Sequence, residues 1–165
     1  MPLIVEDGSI VAGADSFVTV AAFVTYAENR SIVVEDDETT EARLRMAADY
    51  VGTQEGCFQG SRVSASQSLS WPRKGAYLYG YEVAPNTIPE TVKRAQMEYA
   101  LAAVQGVNLF PNDTSAFIRR ERVGPLETEY WGNADSSNSR VSVPAADALI
   151  DVLCGNGGML TLTRV

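Results

Sequence analysis

The chain has 165 residues, 45% of them apolar and 21% charged, and 13 Lys and Arg against 21 Asp and Glu give a formal net charge of −8. That suits one domain with a real core rather than two, and no apolar run approaches the ~18–20 residues that span a bilayer. The acidic balance counts against a grip on nucleic-acid phosphates, and the absence of histidine removes the commonest general base and the commonest zinc ligand.

Glu6 and Asp7 come early, with no basic stretch before them, so no secretory leader is expected. Residues 15–30 read as a first helix, with Asp15 or Ser16 as N-cap and Phe17, Val20, Ala21 and Val24 at i, i+3, i+4, i+7. Its β-branched residues weaken helix propensity. Residues 36–53 form a second helix. Acids and threonines sit at its positive end, Leu44, Ala47, Ala48 and Val51 make one apolar stripe, and Gly52 ends it.

A segment of over thirty residues, 53–86, follows without helical pattern, and irregular stretches of that length are usually functional. At its middle stand Trp71, Pro72, Arg73 and Lys74, and near its end Tyr77, Tyr79 and Tyr81 flank glycines. The tyrosine spacing fits a short strand or a loop packed on itself. Residues 86–106 are the strongest helix, apolar on nearly two sides and therefore central, with Thr87 and Glu90 spaced as a capping box around Pro89.

Residues 117–131 predict a β-hairpin turning at Gly124-Pro125, with Val123 opposite Leu126, Arg122 opposite Glu127 and Arg120 opposite Glu129. Neither face of this ribbon is cleanly apolar, so it needs support from elsewhere, a neighbouring subunit being the natural source. A polar linker (132–144) leads to a short helix, 143–155, capped by Ser142. Residues 156–165 read as a Gly-flanked terminal strand, an open edge for pairing.

Cys57 and Cys154 show no paired spacing and are expected as two reduced, mostly buried thiols of a cytoplasmic protein; nothing in their positions argues for a disulfide. No phosphate loop, dinucleotide fingerprint, zinc spacing or calcium loop occurs. The hydroxyls of "SASQSLS" have no base beside them and read as a solvated loop. The acids Glu35 to Glu38 read as helix-dipole compensation rather than a cation site. No enzymatic activity, cofactor or metal is expected.

Several segments together carry a resemblance. "PLIVEDGSIVAGADSFV", "LRMAADYV", "ASQSLSWPRKGA", "IPETVKRAQMEYAL" and "RRERVGPLETEYW" stand in the order found in a family of small tailed-phage and prophage proteins. The most diagnostic are Gln67, Leu69, Trp71, Pro72 and Arg73; Ile88 to Ala95; and Val123 to Tyr130. The resemblance spans nearly the whole chain, and its specificity lies in the combination.

Two labels attach to that family: DnaT-like single-stranded-DNA-binding protein, and head–tail connector (adaptor or head-completion) protein. The connector label implies a ring, typically of twelve copies, beneath the portal protein. The ring receives a tail-side component (a tail terminator or the next connector), and genome DNA passes through without being held. The DNA-binding label implies a role in phage replication and needs a basic groove with aromatic platforms. Residues 57–86 offer only Arg62, Arg73 and Lys74 as cations, a thin footprint.

The expectation is therefore a mainly α single domain over 1–165. About four helices (core 15–106 and 143–155) carry a protruding β-hairpin and a C-terminal extension. As a connector it would belong to the virion at the head–tail junction, and to the host cytoplasm before assembly. The expected subunit or partner contacts are Trp71 and Arg73 in the loop, Arg120, Arg122, Glu127, Glu129 and Tyr130 on the ribbon, and Leu160, Leu162 and Val165 at the terminus. Trp71 is read as an anchor, packing equally well within its own subunit or against a neighbour.

Overall fold

A computed structural model describes residues 2–111, 120–123, 126–129 and 141–155. Among these residues the protein is mainly helical, with four α-helices and three two-stranded antiparallel ladders. The helices are α1 (Val20–Glu28), α2 (Glu38–Gly52), α3 (Glu90–Val104) and α4 (Pro144–Leu153). The strands pair as β1 (Ser61–Arg62) with β2 (Arg73–Lys74), β3 (Tyr77–Leu78) with β4 (Tyr81–Glu82), and β5 (Arg120–Val123) with β6 (Leu126–Glu129).

α3 is central, as its two-sided apolar pattern predicts. α2 and α4 pack along it, and α1 touches α2 and α3 less extensively. Val92, Ala95, Tyr99 and Ala100 are fully enclosed, meeting Leu44, Ala47 and Val51 of α2 and Ala146, Ile150 and Leu153 of α4 in one core. Among these apolar residues sits Gln96, with no exposed surface. Its amide donates to Ser16 Oγ (2.8 Å) and to the Leu44 carbonyl (2.9 Å), and its Oε1 accepts the Phe17 N–H (2.9 Å). A buried amide satisfied on both sides ties three chain segments together at little cost.

That amide also explains why the first helix is shorter than expected. Phe17 and Val18 are buried ahead of α1. The Phe17 N–H is taken by Gln96, and Ser16 bridges in parallel to Val5. Asp15, expected as a cap, accepts the Ile4 N–H and pairs with Arg45 instead. Thr19 takes over the cap, accepting the Ala22 N–H.

Two other expected caps are not formed. α3 starts after Pro89, whose own side chain caps nothing. Ile88 precedes a proline and is thereby disfavoured in the helical region, so Thr87 stays outside the helix and the capping box is lost. At α4 the N-cap is Val143, without a side-chain bond. Asp147 accepts the Val143 N–H (3.0 Å) and the Ser142 hydroxyl (2.9 Å), so the side chain acts from inside the helix. Asp147 also accepts from Tyr99 Oη (2.7 Å), which in turn accepts from Gln54.

The cysteines depart from the expected thiols. The structure joins Cys57 and Cys154 as a disulfide, with Cys57 exposed and Cys154 half-buried. The Gln59 N–H donates to the Leu153 carbonyl, so the end of α4 lies on the turn at Glu55–Cys57. This brings the two α-carbons to 4.9 Å, within the range a disulfide requires. A sequence separation of 97 concealed that contact. No helix among the described residues is long and apolar enough to cross a membrane.

Candidate functional site

The long segment between α2 and α3 is organised by a charged cluster at its base. Glu55 receives Arg62 Nε (2.6 Å) and Arg73 Nη1 (3.0 Å). The Arg62 bonds come first among the causes that hold the Glu55 carboxyl below its ordinary value of 4.5, and Arg73 adds to them against the opposing effect of burial. Arg73 is only 6% exposed. Its guanidinium also donates to the carbonyls of Gln59 (2.8 Å), Gly60 (2.9 Å) and Ser70 (3.3 Å), using its rigid fork to close the loop on itself. Gly60 has φ +70°, and a Cβ there would meet the Lys74 carbonyl at 2.3 Å, so β1 and β2 can approach only with glycine at this turn.

Gln67 completes the frame. It donates to the carbonyls of Leu69 (2.9 Å) and Pro72 (3.0 Å) and accepts the Ser64 N–H (3.0 Å). Trp71 precedes a cis proline and has no exposed surface, its ring tilted against Phe58 with centroids 6.3 Å apart. Its indole nitrogen finds no hydrogen-bond partner, so the ring contributes packing alone. Of the two packing arrangements open from the sequence, the one within its own subunit is realised. Within the chain Trp71 is fully enclosed and Arg73 nearly so, and both shape the loop from inside.

The frame instead projects the β3–β4 hairpin. Leu78 is buried, while Tyr77, Tyr79 and Tyr81 are 51%, 73% and 79% exposed. Tyr79 and Gly80 both have positive φ, forming the tight turn. The tyrosines are the largest group of exposed aromatics among the described residues, and Lys74 is the exposed cation nearest to them in the chain.

Charge elsewhere is distributed unevenly. Arg45, Arg62 and Arg73 are half-buried or buried and ion-paired, and Arg30 pairs with Glu98 while lying over the Tyr26 ring. Arg30, Lys74 and Arg94 are exposed. Against them stand exposed Asp7, Glu28, Glu35, Asp36, Asp37, Glu38, Asp49, Glu82, Glu90 and Asp151. An open groove between α1 and α3, lined by Ala22, Tyr26, Asn29, Glu90, Lys93 and Met97, carries mixed charge. No group of three or more His, Cys, Asp or Glu gathers to hold a metal among the described residues.

For the ribbon, the backbone register of the described residues matches the reading from sequence: Arg120 is opposite Glu129, Arg122 opposite Glu127 and Val123 opposite Leu126. Tyr130, Leu160, Leu162 and Val165, with the expected terminal strand, lie outside the described residues. The exposure of the three tyrosines is what sequence reasoning left undecided. The Tyr-Gly pair at 79–80, marking a turn, was the available signal.

Among known proteins, no curated protein and no solved structure matches the chain. A family model described as "Putative DnaT-like ssDNA binding protein" matches residues 1–165. The chain therefore belongs to that family over its whole length.

Proposed function

We propose that the protein is a structural subunit that works through protein contacts, a head–tail connector assembling as a ring beneath a phage portal and leaving the DNA channel open. The observation that carries this reading is the disposition of charge. The arginines Arg45, Arg62 and Arg73 are engaged in ion pairs, Arg73 buried and the other two half-buried, and the exposed charge of the described residues is predominantly acidic. Such a surface lets DNA pass and gives up the counterion-release affinity on which phosphate binding rests. The β5–β6 ribbon, a two-stranded element needing external support, suits contact with a neighbour.

Single-stranded-DNA binding is the second reading. The family description favours it, and so do Tyr77, Tyr79 and Tyr81, three exposed rings of the kind on which bases stack. An anisotropy titration with a labelled oligothymidine at low and moderate salt separates the two. The connector reading expects no binding at either salt. Micromolar binding that weakens steeply with salt and is lost in Tyr79→Ser overturns it in favour of the second.

A further inference from the structure

The bridge between Cys57 and Cys154 stands where three parts of the fold meet. Glu55, just before Cys57, holds Arg62 and Arg73, the charged base of the long segment. Gln59, just after it, donates its N–H to the Leu153 carbonyl (3.1 Å) at the end of α4. The side-chain amide of the same Gln59 donates to the Tyr77 carbonyl (2.9 Å) in the β3–β4 hairpin. Gly155, following Cys154, sits so close that a Cβ on it would lie 3.2 Å from the Gln59 side chain.

The two ends of α4 are secured differently. At its start Asp147 accepts from the Val143 N–H and from Tyr99 Oη, and along its body Ala146, Ile150 and Leu153 are enclosed. At its end the sulfur bridge joins it to the turn covalently. That bridge is open to a reagent from one side. Cys57 is exposed, and a Cβ on the neighbouring Gly56 would meet nothing within 4 Å. Cys154 is half-buried and packed against the core. Exchange occurs at the sulfur that a thiolate can reach, which here is Cys57. Its Sγ lies 3.2 Å from the Gln54 carbonyl, an acceptor for the thiol proton once the bridge opens.

We propose that Cys57–Cys154 is a thiol–disulfide exchange site at which Cys57 is the sulfur attacked, and that its redox state sets whether the end of α4 is clasped to the Glu55–Cys57 turn. The reagent is a dithiol. One of its thiolates bonds to Cys57 Sγ, and the S–S bond breaks with its electron pair leaving on Cys154, which takes a proton from solvent. The second thiolate attacks the reagent's own sulfur in the mixed disulfide, closing a disulfide within the reagent and expelling Cys57, which is protonated in turn. The protein gains two electrons and the dithiol loses them. Ala146, Ile150 and Leu153 still seat the helix, so opening the bridge frees its last turn and Gln59 rather than α4 as a whole. The site is independent of whether the protein joins a capsid to a tail or binds DNA.

The test takes the 165-residue chain, equilibrates it with oxidised glutathione and then adds dithiothreitol without denaturant. Alkylation with mass mapping and hydrogen–deuterium exchange are the readouts. No alkylation is expected before dithiothreitol, and labelling of both cysteines after it. Exchange at Gln59 and Cys154 then speeds several-fold while α3 keeps its protection. The urea midpoint falls, because a bridge closing 97 residues no longer restricts the unfolded chain. Cys154→Ser is expected to show the faster exchange from the outset and no response to dithiothreitol. Reduced glutathione, a monothiol, should leave its adduct on Cys57 of the oxidised chain. Thiols that stay free in oxidised glutathione overturn the proposal, as does a bridge that dithiothreitol opens only in urea. So do reduction that leaves exchange unchanged, reduction that strips protection from α3 as well, and an adduct on Cys154.

Discussion

At Gln96, one buried amide satisfies the Phe17 N–H, the Ser16 hydroxyl and the Leu44 carbonyl at once. Replacing it by leucine keeps the volume and strands a buried N–H, so Gln96→Leu is expected to destabilise the fold by about 1–3 kcal/mol in urea unfolding. Arg73 does comparable work for the loop, and Arg73→Met, which keeps the stem, is expected to cost roughly 1.5–3 kcal/mol. Its partner Glu55 adds a pH dependence. A carboxyl whose folded value is lowered contributes stability that is fully present above its ordinary value of 4.5 and is lost as pH falls through the lowered one. Stability should therefore decline below pH 4.5, and the decline should be shallower in Glu55→Gln when unfolding is followed from pH 6 downward. The diagnostic Gln67, Leu69, Trp71, Pro72, Arg73 pattern gains its meaning here. Leu69 and Trp71 are enclosed, Gln67 and Arg73 bond to backbone carbonyls, and the cis Trp71–Pro72 bond turns the chain between them. Sequence identified the residues as special, yet their burial depends on Glu55 and Phe58, which no local spacing brings into view.

The elements divide by how local their determinants are. The β5–β6 register was readable because a Gly-Pro pair and alternating charges are properties of adjacent residues, and the described strands pair as that pattern requires. The body of α2 and the central place of α3 were readable from apolar periodicity. The start of α1 was not, because the competitor for the Phe17 N–H lies far along the chain in α3. β1 to β4 are ladders of two residues each, too short to show a period of two. In the β3–β4 turn, Tyr79→Asn removes a strained ring from a left-handed position and is expected to stabilise the protein by roughly 1 kcal/mol, measured as an upward shift of the urea midpoint. In the ribbon, Glu127→Arg places like charges opposite Arg122 and is expected to speed proteolysis there; adding Arg122→Glu should restore resistance.

For the molecule as a whole, a helical body built around α3 carries, among the described residues, the β3–β4 and β5–β6 pairs, which differ in character. One presents three tyrosines, and the other has a register of opposed charges. Acidic composition pointed away from phosphate binding, and the disposition of the arginines supports the same direction. The family description favours the DNA-binding reading, against which the connector proposal sets the charge distribution. The decisive measurement is native mass spectrometry of the 165-residue chain mixed with a phage portal oligomer encoded in the same genome as the chain. The connector account expects a discrete complex in which the chain is present in a fixed multiple matching the portal's symmetry. Portal oligomers that keep their own mass across a range of added chain would contradict it.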